Sequence, residues 1–165
     1  MDKDGFFMAE AIKEARKAFK KEEVPVGAVL VRAGEVIARG HNTKESGADP
    51  TLHAEMSAIR RAAKKVNSWR LGNATLYVTL EPCLMCMGAV LQARIPRLVF
   101  ASFDPKAGAC GSVYDLSSDA RLNHSVKVFS GVGDAEAGEL LKGFFRTLRK
   151  RKKAAACKAL GEKPL

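Results

Sequence analysis

Histidine is scarce in this chain, long apolar runs are missing, and acids almost vanish toward one end. Each shortage excludes something. Only three of the 165 residues are histidine and four are cysteine. Two of the cysteines sit together in "PCLMC", and Cys110 and Cys157 stand alone. That is a poor basis for a disulfide framework; in a reducing compartment it points to metal or redox chemistry. The longest apolar stretches, such as "VPVGAVLV", fall well short of the roughly 20 residues that cross a bilayer. No membrane association is expected. The N-terminal "MDKDGFFMAEAIKEARKAFKKEE" is charged throughout and lacks the apolar centre of a signal peptide, so the expected location is cytoplasmic. Hydrophobic residues make up 47% of the chain, which excludes a disordered one, and the length suits one domain.

The formal charge is +10, unevenly spread. Residues 142–165 carry nine Lys or Arg against one acid, Glu162, whereas residues 1–141 carry 19 basic and 17 acidic residues. The chain therefore divides into a nearly neutral single domain, residues 1–150, and a basic tail, 151–165, expected to be disordered at its end. Such a tail is either a solvated helix end or a phosphate-binding element.

There is no internal repeat and no low-complexity linker. Phe7, Ala11, Ala15 and Ala18 recur at helical spacing, which predicts a helix over 6–21. "VGAVLVR" and "EVIARG" flank Ala33-Gly34 as a hairpin. "GHNTKESGADPT" reads as a loop. A helix follows over 49–66, with Asp49 or Thr51 as its cap. "ATLYVTL" (74–80), "RLVFAS" (97–102) and "VKVFSG" read as strands. Pro82 is placed at the first position of the "PCLMCMGAVLQAR" helix, and the final helix spans 134 to about 157. Strands alternating with helices predict an α/β fold, a three-layer α/β/α sandwich around one mixed sheet.

The chemistry is concentrated in two short segments, "TLHAEM" and "LEPCLMC". Two cysteines three apart at a helix start both project from its first turn, where free N–H groups favour thiolate. Alone, they fit a redox pair, a zinc site or two core cysteines. A structural zinc would want four protein ligands, and no second cysteine pair exists. His53 precedes Cys83 by one αβ unit, so both helices begin at the same edge of the sheet. His53, Cys83 and Cys86 then supply three ligands and leave a fourth tetrahedral position open, the mark of a catalytic zinc. Glu55 lies two residues beyond His53 and points elsewhere, since successive helical residues turn by about 100°. It is placed to border the site as a proton carrier rather than as a ligand.

H-x-E followed by P-C-x-x-C is a known signature of zinc-dependent nucleobase deaminases. The resemblance extends through "EEVPVGAVLV", "DPTLHAEMSAIR", "ATLYVTLEPCLMCMGA", "DPKAGACGS", "LNH" and "LLKGFFRTLRK". In this order, over about residues 6–150, the chain resembles the bacterial tRNA-specific adenosine deaminase family. That resemblance implies a cytidine-deaminase-like sandwich with a five-stranded mixed sheet, a homodimer and one Zn2+ per subunit. The implied reaction is hydrolytic conversion of the wobble adenosine of an arginine tRNA, anticodon ACG, to inosine with release of ammonia. Residue by residue, His53, Cys83 and Cys86 would bind zinc, and Glu55 would shuttle protons. Asn42 would contact the purine, and the Ala54 N–H would lie beside the reacting carbon. Asp104, Phe145 and Arg149 would line the RNA groove.

The sequence departs from the family in three places. His41 stands where an aromatic residue usually precedes the Asn, "SSDARLNHSV" lacks the usual His-Pro, and Cys110 replaces a small residue. All three departures bear on RNA contacts and none on the zinc set. A free-base deaminase acting on guanine or cytosine shares both motifs. "TLEPC", "DPKAG" and the basic tail argue against it. A non-catalytic RNA-binding protein with structural zinc leaves Glu55 without a role, and a redox protein leaves both His53 and Glu55 without one.

Overall fold

The structure, a computed structural model, describes residues 2–159. Four helices and five strands follow in the order α1 (Lys3–Lys20), β1 (Gly27–Arg32), β2 (Glu35–His41), α2 (Ala54–Lys65), β3 (Ala74–Leu80), α3 (Leu84–Gln92), β4 (Arg97–Ser102), β5 (Lys127–Ser130) and α4 (Asp134–Ala159). One sheet holds all five strands in the order β2-β1-β3-β4-β5. β1 is antiparallel to both β2 and β3, while β3, β4 and β5 run parallel. The expected cytidine-deaminase-like α/β/α sandwich with a mixed five-stranded sheet is the observed fold.

The central strands read as unbroken apolar runs because both their faces are buried. In β1, Ala28 and Leu30 join a core with Ala58 and Ile59 of α2 and Met87 and Val90 of α3. Val29 and Val31 point the other way, against Phe7, Met8 and Ile12 of α1 and Ala137 of α4. β4 splits in the same manner, Leu98 and Phe100 to one side and Val99 and Ala101 to the other. The two-residue alternation of a strand thus feeds two cores at once. Ala33 and Gly34 both adopt left-handed φ, at 51° and 81°, as a tight hairpin of this kind requires.

Several boundaries differ from expectation. α1 begins earlier, at Lys3, because the Asp2 carboxylate accepts the Gly5 N–H at 2.6 Å and caps it. β2 continues one residue past the expected "EVIARG", to His41, which pairs with Gly27 of β1. α2 starts at Ala54 with His53 as its N-cap residue, so neither Asp49 nor Thr51 caps it. Asp49 instead accepts from the Thr51 N–H and hydroxyl in a local turn. Pro82 lies outside α3, one residue before the N-cap Cys83. α4 continues unbroken through 150 to Ala159. Disorder is expected over the last residues, "AAACKALGEKPL" (154–165), but 154–159 continue the helix begun at Asp134; residues 160–165 lie outside the described residues.

Candidate active site

Strand directions bring the two motifs together. β2 and β3 are each antiparallel to β1, so they run the same way and their carboxyl ends share one edge of the sheet. α2 follows β2 and α3 follows β3 from that edge. Ligand sites in open α/β sheets form at such carboxyl ends. α2 can approach because Gly40 has no side chain. A Cβ there would lie 2.2 Å from the Ala54 carbonyl oxygen.

His53 and Cys83 are the N-cap residues of the two helices, and Cys86 is buried in the first turn of α3. Their donor atoms lie within 4.8 Å of one another. His53 Nδ1 is 3.7 Å from Cys83 Sγ and 3.5 Å from Cys86 Sγ. A tetrahedral zinc with ordinary bonds, about 2.1 Å to nitrogen and 2.3 Å to sulfur, holds such a pair about 3.6 Å apart. The three residues therefore fit that ion.

Their electrostatics also suit a cation. Hydrogen bonding from Cys86 lowers the Cys83 thiol to about 4, aided by His53 and opposed by burial. Cys86, donor to that thiolate and itself buried, is pushed upward. His53 is raised by its hydrogen bond to Cys83. The cluster thus holds protons that a divalent cation would displace.

Glu55 is only 4% exposed, and burial pushes it up to about 7 against the pull of its own backbone N–H and of His53. With His53 and Cys83 it lines a cavity of about 180 Å³. Asn42, Lys44 and Asp104 also line it. Asn42 Oδ1 accepts the Ala54 N–H at 3.0 Å, supplying the cap that no residue of α2 itself provides. The carboxamide NH2 of Asn42 remains a donor.

Phe145 and Arg149 lie outside this cavity. They project from α4 and line a larger one of about 670 Å³ with Lys106, Lys142 and Arg146. Between the two is an apolar cavity of about 340 Å³, where Phe145 meets Phe103, Val24, Leu80 and Asp104. Asp104 borders both it and the inner cavity. The three cavities share lining residues and so lie in series from the His-Cys-Cys cluster to the basic face of α4.

Two further carboxylates at the cavity lie in stretches that carry the resemblance, but no local pattern in the sequence assigns them a role. Glu23, 1% exposed, accepts from the Glu45 and Ser46 N–H groups at 3.0 and 2.7 Å. Glu81, 2% exposed, accepts from the N–H groups of Asp104, Cys110 and Ser112 and from the Ser112 hydroxyl. Burial opposes ionisation of each, yet the hydrogen bonds outweigh it and both lie below the ordinary glutamate value. Glu81 precedes a proline and Glu23 stands two residues before one, and a proline near a glutamate is no signal of a loop clamp. His41, which precedes Asn42, sits between Glu14 Oε2 at Nδ1 and Lys21 Nζ at Nε2, each 3.0 Å away.

The chain is a deaminase by family: a profile of MafB19-like deaminases matches residues 1–149. Within that class one branch stands out. The chain is 54% identical to the tRNA-specific adenosine deaminase of Bacillus subtilis (strain 168), over 94% of its own length and 96% of the relative's. It belongs to the tRNA-specific adenosine deaminase family. A solved structure from a study of A-to-I editing by tRNA:A34 deaminases at the wobble position superposes with a TM-score of 0.80 and 46% identity, over 82% of this chain and 99% of that one. A guanine deaminase from Bacillus subtilis superposes less well, at a TM-score of 0.59 and 36% identity, over 65% of this chain and 69% of that one. No helix among the described residues is long and apolar enough to cross a membrane.

Proposed function

We propose that this protein hydrolyses the wobble adenosine of an arginine tRNA, anticodon ACG, to inosine and ammonia. The observation that carries the reading is the placement of buried Glu55 beside a zinc-spaced His53, Cys83 and Cys86 in a base-sized cavity. These three residues hold one Zn2+ per subunit. When bound, the ion supplies a Lewis acid that brings the pKa of water down to about 7. Glu55 accepts a proton from the attacking water and passes it to purine N1; it then takes the second proton, from the oxygen now bound to C6, and passes that to the departing amine. A carboxyl near neutrality can do both. The oxygen of water replaces the C6 amine, so water and adenosine become inosine and ammonia.

Asn42 orients the purine through its free carboxamide NH2, while its oxygen stays on Ala54. The Ala54 N–H is the backbone group assigned to the reacting carbon. It reaches substrate only by sharing or releasing Asn42. Asp104 and Phe145 line the path for flanking nucleotides, and Arg149 meets phosphate on α4. An anticodon-loop base is already unpaired, so extruding it costs only unstacking.

The basic outer cavity favours RNA over a free base. A lone guanine or cytosine would fill the inner cavity and make no use of Lys106 and Arg149 at the outer one, where Lys142 and Arg146 pair with Glu139. A non-catalytic zinc protein would have no use for a buried carboxylate at the cluster. The charged chain and tRNA substrate class support a cytoplasmic enzyme of one catalytic domain, residues 1–150, with a basic tail from 151. Family membership supports a homodimer. Exposed Leu84, Val113 and Tyr114, gathered around the Cys83–Gly108 bridge, offer apolar surface for it.

The test is to incubate the zinc-loaded protein with arginine tRNA bearing ACG, then reverse-transcribe and sequence. An A-to-G change at the wobble position is expected. Ammonia release from guanine or cytosine, with unchanged tRNA, would overturn the reading.

A further inference from the structure

The cavity owes only part of its wall to the sheet. Two of its sides are loops, and each loop is fastened by one buried glutamate. The segment after β2 brings Lys44 to the cavity, and the next two residues give their N–H groups to Glu23. The segment after β4 brings Asp104 and Ala107, and Glu81 takes up donors at Asp104, Cys110 and Ser112. Both glutamates themselves line the cavity, alongside the loops they hold.

We infer that Glu23 and Glu81 are positioning residues that set the shape of the substrate pocket by clamping these two loops. This rests on the deaminase reading of the cavity. The chemistry requires a carboxylate at both places. Every partner of Glu81 is a donor: three backbone N–H groups and one hydroxyl. A carboxylate only accepts and has room for all of them. Glutamine would turn an NH2 toward N–H groups and leave buried donors unsatisfied. The loop also lies hard against the clamp. A Cβ on Gly108 would fall 2.2 Å from Glu81 Oε2, so glycine is required for the approach. With the walls held in advance, binding need not supply the free energy to order them.

The experiment compares zinc-loaded wild type, Glu23→Gln and Glu81→Gln in tRNA deamination and in hydrogen exchange. Ser112→Ala, which removes a single exposed donor from Glu81, serves where Glu81→Gln does not fold. The expected result is full zinc content and a KM for tRNA raised on the order of tenfold, with kcat changed less. Exchange should speed up at Glu45 and Ser46 in the Glu23 variant and at Asp104, Cys110 and Ser112 in the Glu81 variants. Folded variants with wild-type KM and wild-type exchange at these amides overturn the inference. So does loss of zinc, which would assign the carboxylates to the metal site. Exchange is read without substrate, so a wild-type protein inactive on tRNA would defeat the deaminase reading alone.

Discussion

The side chain of Asn42 holds the first backbone N–H of α2, donated by Ala54 across a separation of twelve residues at 3.0 Å. One side chain thereby caps the helix that carries Glu55 and lines the cavity as well.

Asn42 therefore has two separable duties. Asn42→Ala should cost about 1 kcal/mol through the missing cap and also abolish most activity. Asn42→Asp keeps an acceptor for Ala54 and should retain thermal stability while still losing activity, because the NH2 donor is gone. Denaturation midpoints and tRNA deamination rates on the same two variants check both.

Glu55 is assigned to proton transfer and not to metal binding. Glu55→Gln and Glu55→Ala should retain one zinc per chain by elemental analysis. Turnover should drop by a factor of about 10² to 10⁴. A variant with wild-type turnover would remove Glu55 from the mechanism.

Removal of the metal should be reversible and specific. Dialysis against a chelator should abolish deamination and lower the melting temperature, since bound metal stabilises the native state alone. One equivalent of Zn2+ should restore both. His53→Ala, Cys83→Ala and Cys86→Ala should each resist that restoration.

The basic C-terminal part of α4 should show itself in salt dependence. Replacing Lys150, Lys152 and Lys153 by Ala should weaken tRNA binding most at low salt. The slope of log K against log salt should flatten by about 0.7 to 0.9 for each phosphate no longer neutralised. An unchanged slope would return these lysines to a solvated surface.

Acid stability should depend on Asp4. Its carboxylate binds Arg97 at 2.7 Å and accepts from the Tyr77 hydroxyl, also at 2.7 Å. The Arg97 hydrogen bond holds it below the ordinary aspartate value of 3.8, against the opposing effect of burial. A lowered pKa means the contribution is present above that ordinary value and disappears as pH falls through the folded one. Asp4→Asn should cost about 1 kcal/mol at pH 7, a modest figure because the pair is partly exposed. The gap from wild type in urea unfolding should close below the lowered pKa.

Much of the fold and of the ligand set is legible in the amino-acid order because it is carried by local patterns. β3 and β4 fall at the expected residues, since an apolar run flanked by turn formers has few other uses. The hairpin turn at Ala33-Gly34 and the start of α4 at Asp134 follow from residues at the site itself. H-x-E and P-C-x-x-C point to metal chemistry through their residue types and spacing. The misplaced features have distant partners. The α2 cap is expected at Asp49 or Thr51 from sequence, whereas the acceptor is Asn42, brought there by the direction of β2. Pro82 falls outside α3 because Cys83 turns away to join His53.

Composition and spacing alone determined that this chain is an α/β protein with three residues of zinc-ligand type and a nearby carboxylate. Tertiary structure decided that Glu23 and Glu81 fasten the pocket walls, that His41 lies between Glu14 and Lys21, and that cavities lie in series from the cluster to α4. A buried carboxylate is tolerated only where donors converge on it. Which donors converge depends on loops folded across the carboxyl ends of β2, β3 and β4, and no local pattern encodes that meeting.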